Sequence, residues 1–389
     1  MTALIGTETE QTSIKTNRLS PILKWAGGKE QELKYIHPAM PKHIKNYYEP
    51  FIGGGAVYLS LDADKLFIND KSDELIALYK AITHQDEKFF GVVNEMIHNW
   101  ELLQKIIENN RKDFIDNYVS YSKNIANEST IKNWVISFVL KHSEEFNGMF
   151  DTSFNVNIEN FLHEIKKNIV NKMKRMKTIE LERGTLPEND ILDNMESALK
   201  SAFYMHFRYL YNNIEKYNIN SSFATAIFFF IRNYAYSGMF RYNKDGGFNV
   251  PYGGIGYNRK NLTKKMDYLQ SEELVSHLQK TTIDNLDFEE FFRKNKPQKD
   301  DFIFLDPPYD SEFSTYAQNE FNKKDQERLA NYLINECEAN WMVVIKNTDF
   351  ILDLYAKKGI NISSFDKKYL VSFQNRNDKK AKHLIITNY

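Results

Sequence analysis

Hydrophobic and polar residues change their rhythm twice along this chain. Between residues 21 and 82, short apolar runs of strand length alternate with stretches of helical period. That is the arrangement of strands joined by helices in one sheet. Residues 46–52 read as a strand ending in Gly53-Gly54-Gly55. A helix is predicted over 56–61, a strand over 66–69 and a helix over 73–82. From about residue 87 to 233 the texture is rich in Lys, Glu and Asn, and apolar positions recur every fourth residue, as at Phe161, Ile165, Ile169 and Met173. This period is helical, with one interruption predicted over 184–189. Strand-like runs return at 281–284, 302–305 and 342–345, with helices at 325–337 and 350–358. Final strands are predicted at 369–373 and 383–387.

The fold class that follows is α/β, a doubly wound sheet split in sequence by a mainly helical insertion. Residues 1–20 read as a flexible tail, 21–82 and 265–389 as the two halves of the α/β domain, and 83–264 as the helical domain. Within the latter, 83–203 is the enlarged part. Residues 241–253 have strand-like flanks around a Lys-Asp-Gly-Gly turn, the pattern of a β-hairpin.

Composition narrows the class. With 42% hydrophobic and 14% aromatic residues, the chain has ample material for a core, which excludes wholesale disorder. The longest apolar run, 226–231, is far too short to span a bilayer. Residues 1–20 carry no apolar signal-peptide core. A single cysteine, Cys337, excludes an internal disulfide and a Cys-ligated zinc site, and the nine histidines show no metal-binding spacing. A reducing, cytoplasmic setting is expected, with no membrane. The formal net charge of −1 means that any nucleic-acid contact must use a local positive surface. The densest basic run is Lys166, Lys167, Lys172, Lys174, Arg175 and Lys177, a pattern that also describes a solvated helix face.

Four segments carry candidate chemistry. In the first, an apolar strand delivers Asp306 at its C-terminal end, the edge where doubly wound sheets bind ligands. Pro307 and Pro308 follow and remove two N–H donors, leaving carbonyls to face the site, and Tyr309 adds an aromatic ring. Such a set suits an exocyclic amine on a base, whose delocalised lone pair makes it a poor nucleophile. A carboxylate and a carbonyl accepting its hydrogens favour the tetrahedral nitrogen, and the ring can stack on the base. The alternative is a plain strand-ending turn. In the second, Glu49-Pro50-Phe51-Ile52-Gly53-Gly54-Gly55 allows close backbone approach to a nucleotide-like ligand. Asp70, at the end of the following strand, can bind a ribose diol. The dinucleotide fingerprint G-x-G-x-x-G is not met. The third is Lys24-Trp25-Ala26-Gly27-Gly28-Lys29, which lacks the phosphate-loop spacing. In the fourth, Asp287-Phe288 is either an acid and ring for an adenine or a helix N-cap with a core residue behind it.

In this order the four segments resemble the Dam-type DNA adenine methylases (the D12 class, alpha group). The opening motif of that family matches residues 24–29, and its Glu-Pro-Phe-x-Gly-x-Gly matches 49–55. The acid falls on Asp70 and the catalytic motif on Asp306-Pro307-Pro308-Tyr309. Similarity extends to residues 204–208, 236–243, 248–253, 344–348 and 383–389. Residues 83–203 have no counterpart in the short family members. After Arg241-Tyr242-Asn243 the chain reads Lys244-Asp245-Gly246, where members that methylate GATC can carry an arginine before the glycine.

The resemblance implies a site-specific methyltransferase that moves a methyl group from S-adenosylmethionine to adenine N6 in double-stranded DNA, with the base flipped out. Cofactor contacts would come from Trp25, Lys29, Phe51, Gly53, Gly55, Asp70, Asp287, Phe288 and Asp306. DNA contacts would come from Arg241, Asn243, Lys244, Asp245 and Asn249, and no metal is needed. A cognate restriction endonuclease, acting separately, is a partner such an enzyme can have; the oligomeric state is left open. The rival readings are an RNA adenine or protein amide methyltransferase, a degenerate DNA-binding relative without catalysis and, more distantly, an NAD-dependent dehydrogenase.

Overall fold

The computed structural model describes residues 13–15, 18–148, 156–308, 321–368 and 380–389. It divides into two compact units, one made of Met1–His84 and Ser271–Tyr389, the other of Gln85–Gln270.

The first unit is built on a seven-stranded sheet. In chain order its strands are β1 (Asn46–Glu49), β2 (Lys65–Asn69), β3 (Thr281–Asp284), β4 (Phe302–Leu305), β5 (Asn340–Lys346), β6 (Asn361–Lys368) and β7 (Lys380–Thr387). Across the sheet they run β3-β2-β1-β4-β5-β7-β6. The first five are parallel, and β7 enters antiparallel between β5 and β6. Every residue of β4 is buried, as are Trp341 to Ile345 of β5, which is why these strands read as unbroken apolar runs rather than alternating ones. Strand order reverses between β1 and β4, so a crevice opens beyond their carboxyl ends.

Helices cover the sheet. Phe291, Leu329 and Leu333 from helices Phe288–Asn295 and Lys323–Asn335 pack with Ile303, Leu305, Trp341 and Val343. Each such buried side chain contributes about 1.5–3 kcal/mol by leaving water. The Trp341 indole satisfies its one polar atom by donating to the Leu333 carbonyl at 2.9 Å.

The second unit is helical. Its helices include Glu87–Asn109, Arg111–Ser122, Glu128–Lys141, Ile158–Arg183, Glu188–Tyr211 and Ser221–Tyr234. The interruption expected at 184–189 is the break between the fourth and fifth of these, bounded by Gly184 and Pro187. Side chains of Trp100, Phe203, Phe207 and Phe230 form an edge-to-face aromatic core. No helix among the described residues is long and apolar enough to cross a membrane.

Two local expectations change, one is met in part and one lies outside the described residues. The helix predicted over 56–61 is a single 3-10 turn, Tyr58–Ser60, which stops where Leu61 becomes extended and bridges Ile14; the Glu49 carboxylate accepts from the Tyr58 amide at 3.1 Å. The hairpin expected over 241–253 is met in part: Tyr242 bridges Phe248 antiparallel, the Asn243 amide donates to the Gly247 carbonyl at 2.8 Å and the Asn249 amide to the Arg241 carbonyl at 3.1 Å, and no longer ladder forms among the described residues. The Asn243 side chain accepts from the amides of Asp245 and Gly247 (3.1 and 2.7 Å), which closes the turn. At the C-terminal end β6 runs over Asn361–Lys368, and the strand predicted at 369–373 lies outside the described residues. Finally, the described part of the supposed tail is attached. Ile14 bridges Leu61, Ser13 donates its amide to Lys42, and Leu19 is buried.

Candidate active site

Three loops of the first unit converge where β1, β2 and β4 end. The glycine turn after β1 is shaped by its neighbours. Gly53 and Gly55 both have positive φ (48° and 78°), a backbone region that strains other residues. A Cβ at Gly53 would meet the Trp25 ring at 2.7 Å, and one at Gly55 would meet the Tyr79 hydroxyl at 2.5 Å. The glycines thus let the loop of residues 24–29 pack directly on the turn. Tyr79 adds a hydrogen bond to the Gly53 carbonyl at 3.1 Å.

Packing Trp25 there carries Lys29 inward. Lys29 is buried, donates to the Gly27 carbonyl at 2.9 Å and forms an ion pair with Asp306 at the end of β4. The Asp306 side chain is one-fifth exposed. Pro307 is buried and Pro308 exposed. The Pro308 carbonyl accepts from Gln326 Nε2 at 2.8 Å. The expectation that both proline carbonyls face a ligand is corrected to this extent: Pro308 already has a protein partner. Tyr309 lies outside the described residues.

Asp70 follows β2. Its carboxylate accepts from the Gly53 amide at 3.0 Å and the Ser72 amide at 3.0 Å. Burial pushes its carboxyl above the ordinary range, opposed by the N–H groups of Ser72, Gly53 and Lys71. Asp70 therefore ties the glycine turn to the second strand.

Asp287 caps helix Phe288–Asn295 by accepting from the Glu289 amide at 3.1 Å, and it pairs with Arg328 at 2.9 Å. Phe288 is buried, with ring centroids 6.0 Å from Phe51 and 5.9 Å from Phe321. The cap-and-core role is thus filled. Phe51 is partly exposed and completes this aromatic cluster.

Sequence reasoning placed Glu49 in the glycine motif without giving it a role of its own, and passed over Asn69. Glu49 is buried, accepts from the Tyr47 hydroxyl at 2.6 Å, and has its carboxyl raised well above the usual range by burial. The nearby charge of Asp306 raises it further, against Lys29 and the hydrogen bonds. Asn69 is buried and binds the carbonyls of Pro50 and Leu286 (3.1 and 3.0 Å) and the Leu286 amide (2.8 Å). It links the turns after β1 and β3. A shared signal was position, since both residues end strands at the crevice edge.

In the second unit, the segments 204–208, 236–243 and 248–253 come together. Tyr204 and Arg208 both donate to the Val250 carbonyl, at 3.0 and 3.1 Å. Asn212 exchanges two hydrogen bonds with the Phe248 backbone, and the buried Arg232 guanidinium lies 4.0 Å from the centre of the Phe240 ring. Within the loop, Arg241 donates to Asn249 at 2.9 Å and Asn243 caps the turn, whereas Lys244 and Asp245 have exposed side chains. The basic run is partly spent on neighbours: Lys167 pairs with Glu164, Lys174 with Glu128, and Lys177 donates to Tyr121 and Asn124.

No group of three or more His, Cys, Asp or Glu side chains suited to a metal ion occurs among the described residues. Comparison with known proteins matches residues 25–371 to the family described as D12 class N6 adenine-specific DNA methyltransferase. The chain is 26% identical to the type II methyltransferase M.CviBI of Paramecium bursaria Chlorella virus NC1A, covering 95% of this chain and all of that protein. It is 23% identical to the type II methyltransferase M.MjaIII of Methanocaldococcus jannaschii, over 95% and 99% of the two chains. To a DNA adenine methylase of Vibrio cholerae it is 28% identical, over 84% and 80%.

Proposed function

The chain belongs to the D12 class of N6 adenine-specific DNA methyltransferases, and from that premise we propose how its own residues carry the reaction. S-adenosylmethionine, when bound, supplies an electrophilic methyl group on a sulfonium. The residues at the crevice suit that molecule: a partly exposed acid follows β2, and a glycine turn lies beside it with its backbone held by Asp70 and Tyr79. Asp70 would hold the ribose, and Trp25, Phe51, Gly53 and Gly55 would line the cofactor. Asp287 and Phe288, already engaged as cap and core, would shape the adenine end rather than reach freely into it.

The target adenine must leave the duplex, because its amine cannot meet a methyl donor inside the base stack. Asp306 then accepts one hydrogen of that amine and the Pro307 carbonyl accepts the other. This favours a tetrahedral nitrogen and places negative charge where positive charge develops. Lys29 holds Asp306 from behind, so its direction is set before the base arrives. Tyr309, next in sequence, is the ring proposed to stack on the base.

Target recognition we assign to residues 83–264 of the sequence, with the loop 241–253 presenting Lys244 and Asp245 outward. The relatives' names include type II methyltransferases, which supports a separate endonuclease as cognate partner.

The observation that carries this reading is the Lys29–Asp306 pair at the end of β4, beside the glycine turn. The test is incubation with unmethylated duplex DNA and S-adenosylmethionine labelled in its methyl group. Label should appear as N6-methyladenine at defined sites. Label entering RNA or protein, with none in DNA, would overturn it.

A further inference from the structure

Helix Lys323–Asn335 begins with a capping box formed by Asn322 and Asp325, which fixes its first turn. Within that turn Gln326 is polar yet fully buried. Its Nε2 donates to the Pro308 carbonyl at 2.8 Å, while its Oε1 finds no partner among the described residues. A buried amide with an unmet acceptor is costly, so a residue that only filled space would be better apolar. The donor end is what the site gains from a glutamine here. One half-turn on, Arg328 binds Asp287, Glu289 and Asp325 (2.9, 2.9 and 2.8 Å) and lies 4.8 Å over the Phe288 ring. A single helix therefore grips both the Asp306–Pro308 turn and the segment that follows β3.

We propose that Gln326 is a positioning residue for methyl transfer. Holding the Pro308 carbonyl fixes the plane of that peptide. The two proline rings, whose φ is locked, pass the constraint back along the turn. The Pro307 carbonyl and the Asp306 carboxylate are thereby aimed in one direction. This inference rests on Asp306–Pro308 being the catalytic turn.

The test compares wild type, Gln326→Met and Gln326→Glu in labelled methyl transfer to duplex DNA, alongside thermal melting. Methionine keeps the shape and removes the donor. Its kcat should fall by about tenfold or more, the scale of a small misplacement of reacting groups, while KM for S-adenosylmethionine and the melting temperature hold. Glutamate can donate only when protonated, so its activity relative to wild type at each pH should rise as pH is lowered. A folded Gln326→Met enzyme with wild-type kcat overturns the proposal and leaves the catalytic reading intact. If the Met variant does not fold, the Glu series decides: a rising ratio supports the role and a flat ratio overturns it. A wild-type protein unable to methylate DNA would instead remove the catalytic reading itself.

Discussion

Lys29 and Asp306 form an ion pair across 277 residues of sequence, with the ammonium almost wholly buried. A buried charge is tolerable only with a partner, so each residue depends on the other for its place. The pair welds the loop before β1 to the end of β4 and gives the carboxylate a fixed direction.

Replacing Asp306 by Asn keeps the shape and removes the charge. Methyl transfer to duplex DNA should fall by about 10³-fold, the upper range for losing one preorganised electrostatic group. Folding, followed by circular dichroism, should survive. Asp306→Ala should be equally inactive and less stable than Asp306→Asn, since it also removes the side-chain oxygen that can still accept from Lys29. Turnover close to wild type in either variant would move the chemistry elsewhere.

Asp70→Ala should weaken S-adenosylmethionine binding by about tenfold or more, the worth of a hydrogen bond to a charged group. Calorimetry reads this directly. The variant also frees the amides of Gly53 and Ser72, so the melting temperature should drop. An unchanged affinity alongside a lowered melting temperature would make Asp70 a loop tie only.

Glu49 offers a pH-dependent prediction. Its folded-state carboxyl is raised by burial, so the protonated form is the one the fold prefers. The stability linked to it is fully present below the ordinary carboxyl range and is lost as pH rises through the raised value. Glu49→Gln can still accept from Tyr47 and Tyr58 but carries no charge. Its melting temperature should match wild type in acid and exceed it increasingly toward neutral and alkaline pH. A constant difference across that span would show that Glu49 titrates normally.

Lys244→Ala and Asp245→Ala should each alter which sites are methylated, a discriminating base contact being worth ~1–3 kcal/mol. Cofactor affinity should stay as it was. Sequencing of methylated adenines gives the answer, and identical site preference in both variants would shift base recognition away from this loop. Asn243→Ala should act differently, loosening the turn it caps.

Periodicity and local chemistry determined a good deal of this protein by themselves. The strand at 302–305 was legible because a buried parallel strand is a short apolar run, and the helices of 87–234 because their apolar residues repeat at a helical period. Asp70 and Asp306 could be singled out because each ends such a strand. Only the tertiary structure decided what those residues bind. Glu49 takes the Tyr58 amide, and a predicted helix stops after one turn where Leu61 bridges Ile14. Asn243 caps the turn of the predicted hairpin with its own side chain. Asp287 is spent on a helix cap and Arg328, and Gln326 claims the Pro308 carbonyl. Sequence spacing records which backbone states a segment prefers. A hydrogen bond between residues far apart in the chain depends on where the fold brings them, and no local period carries that information.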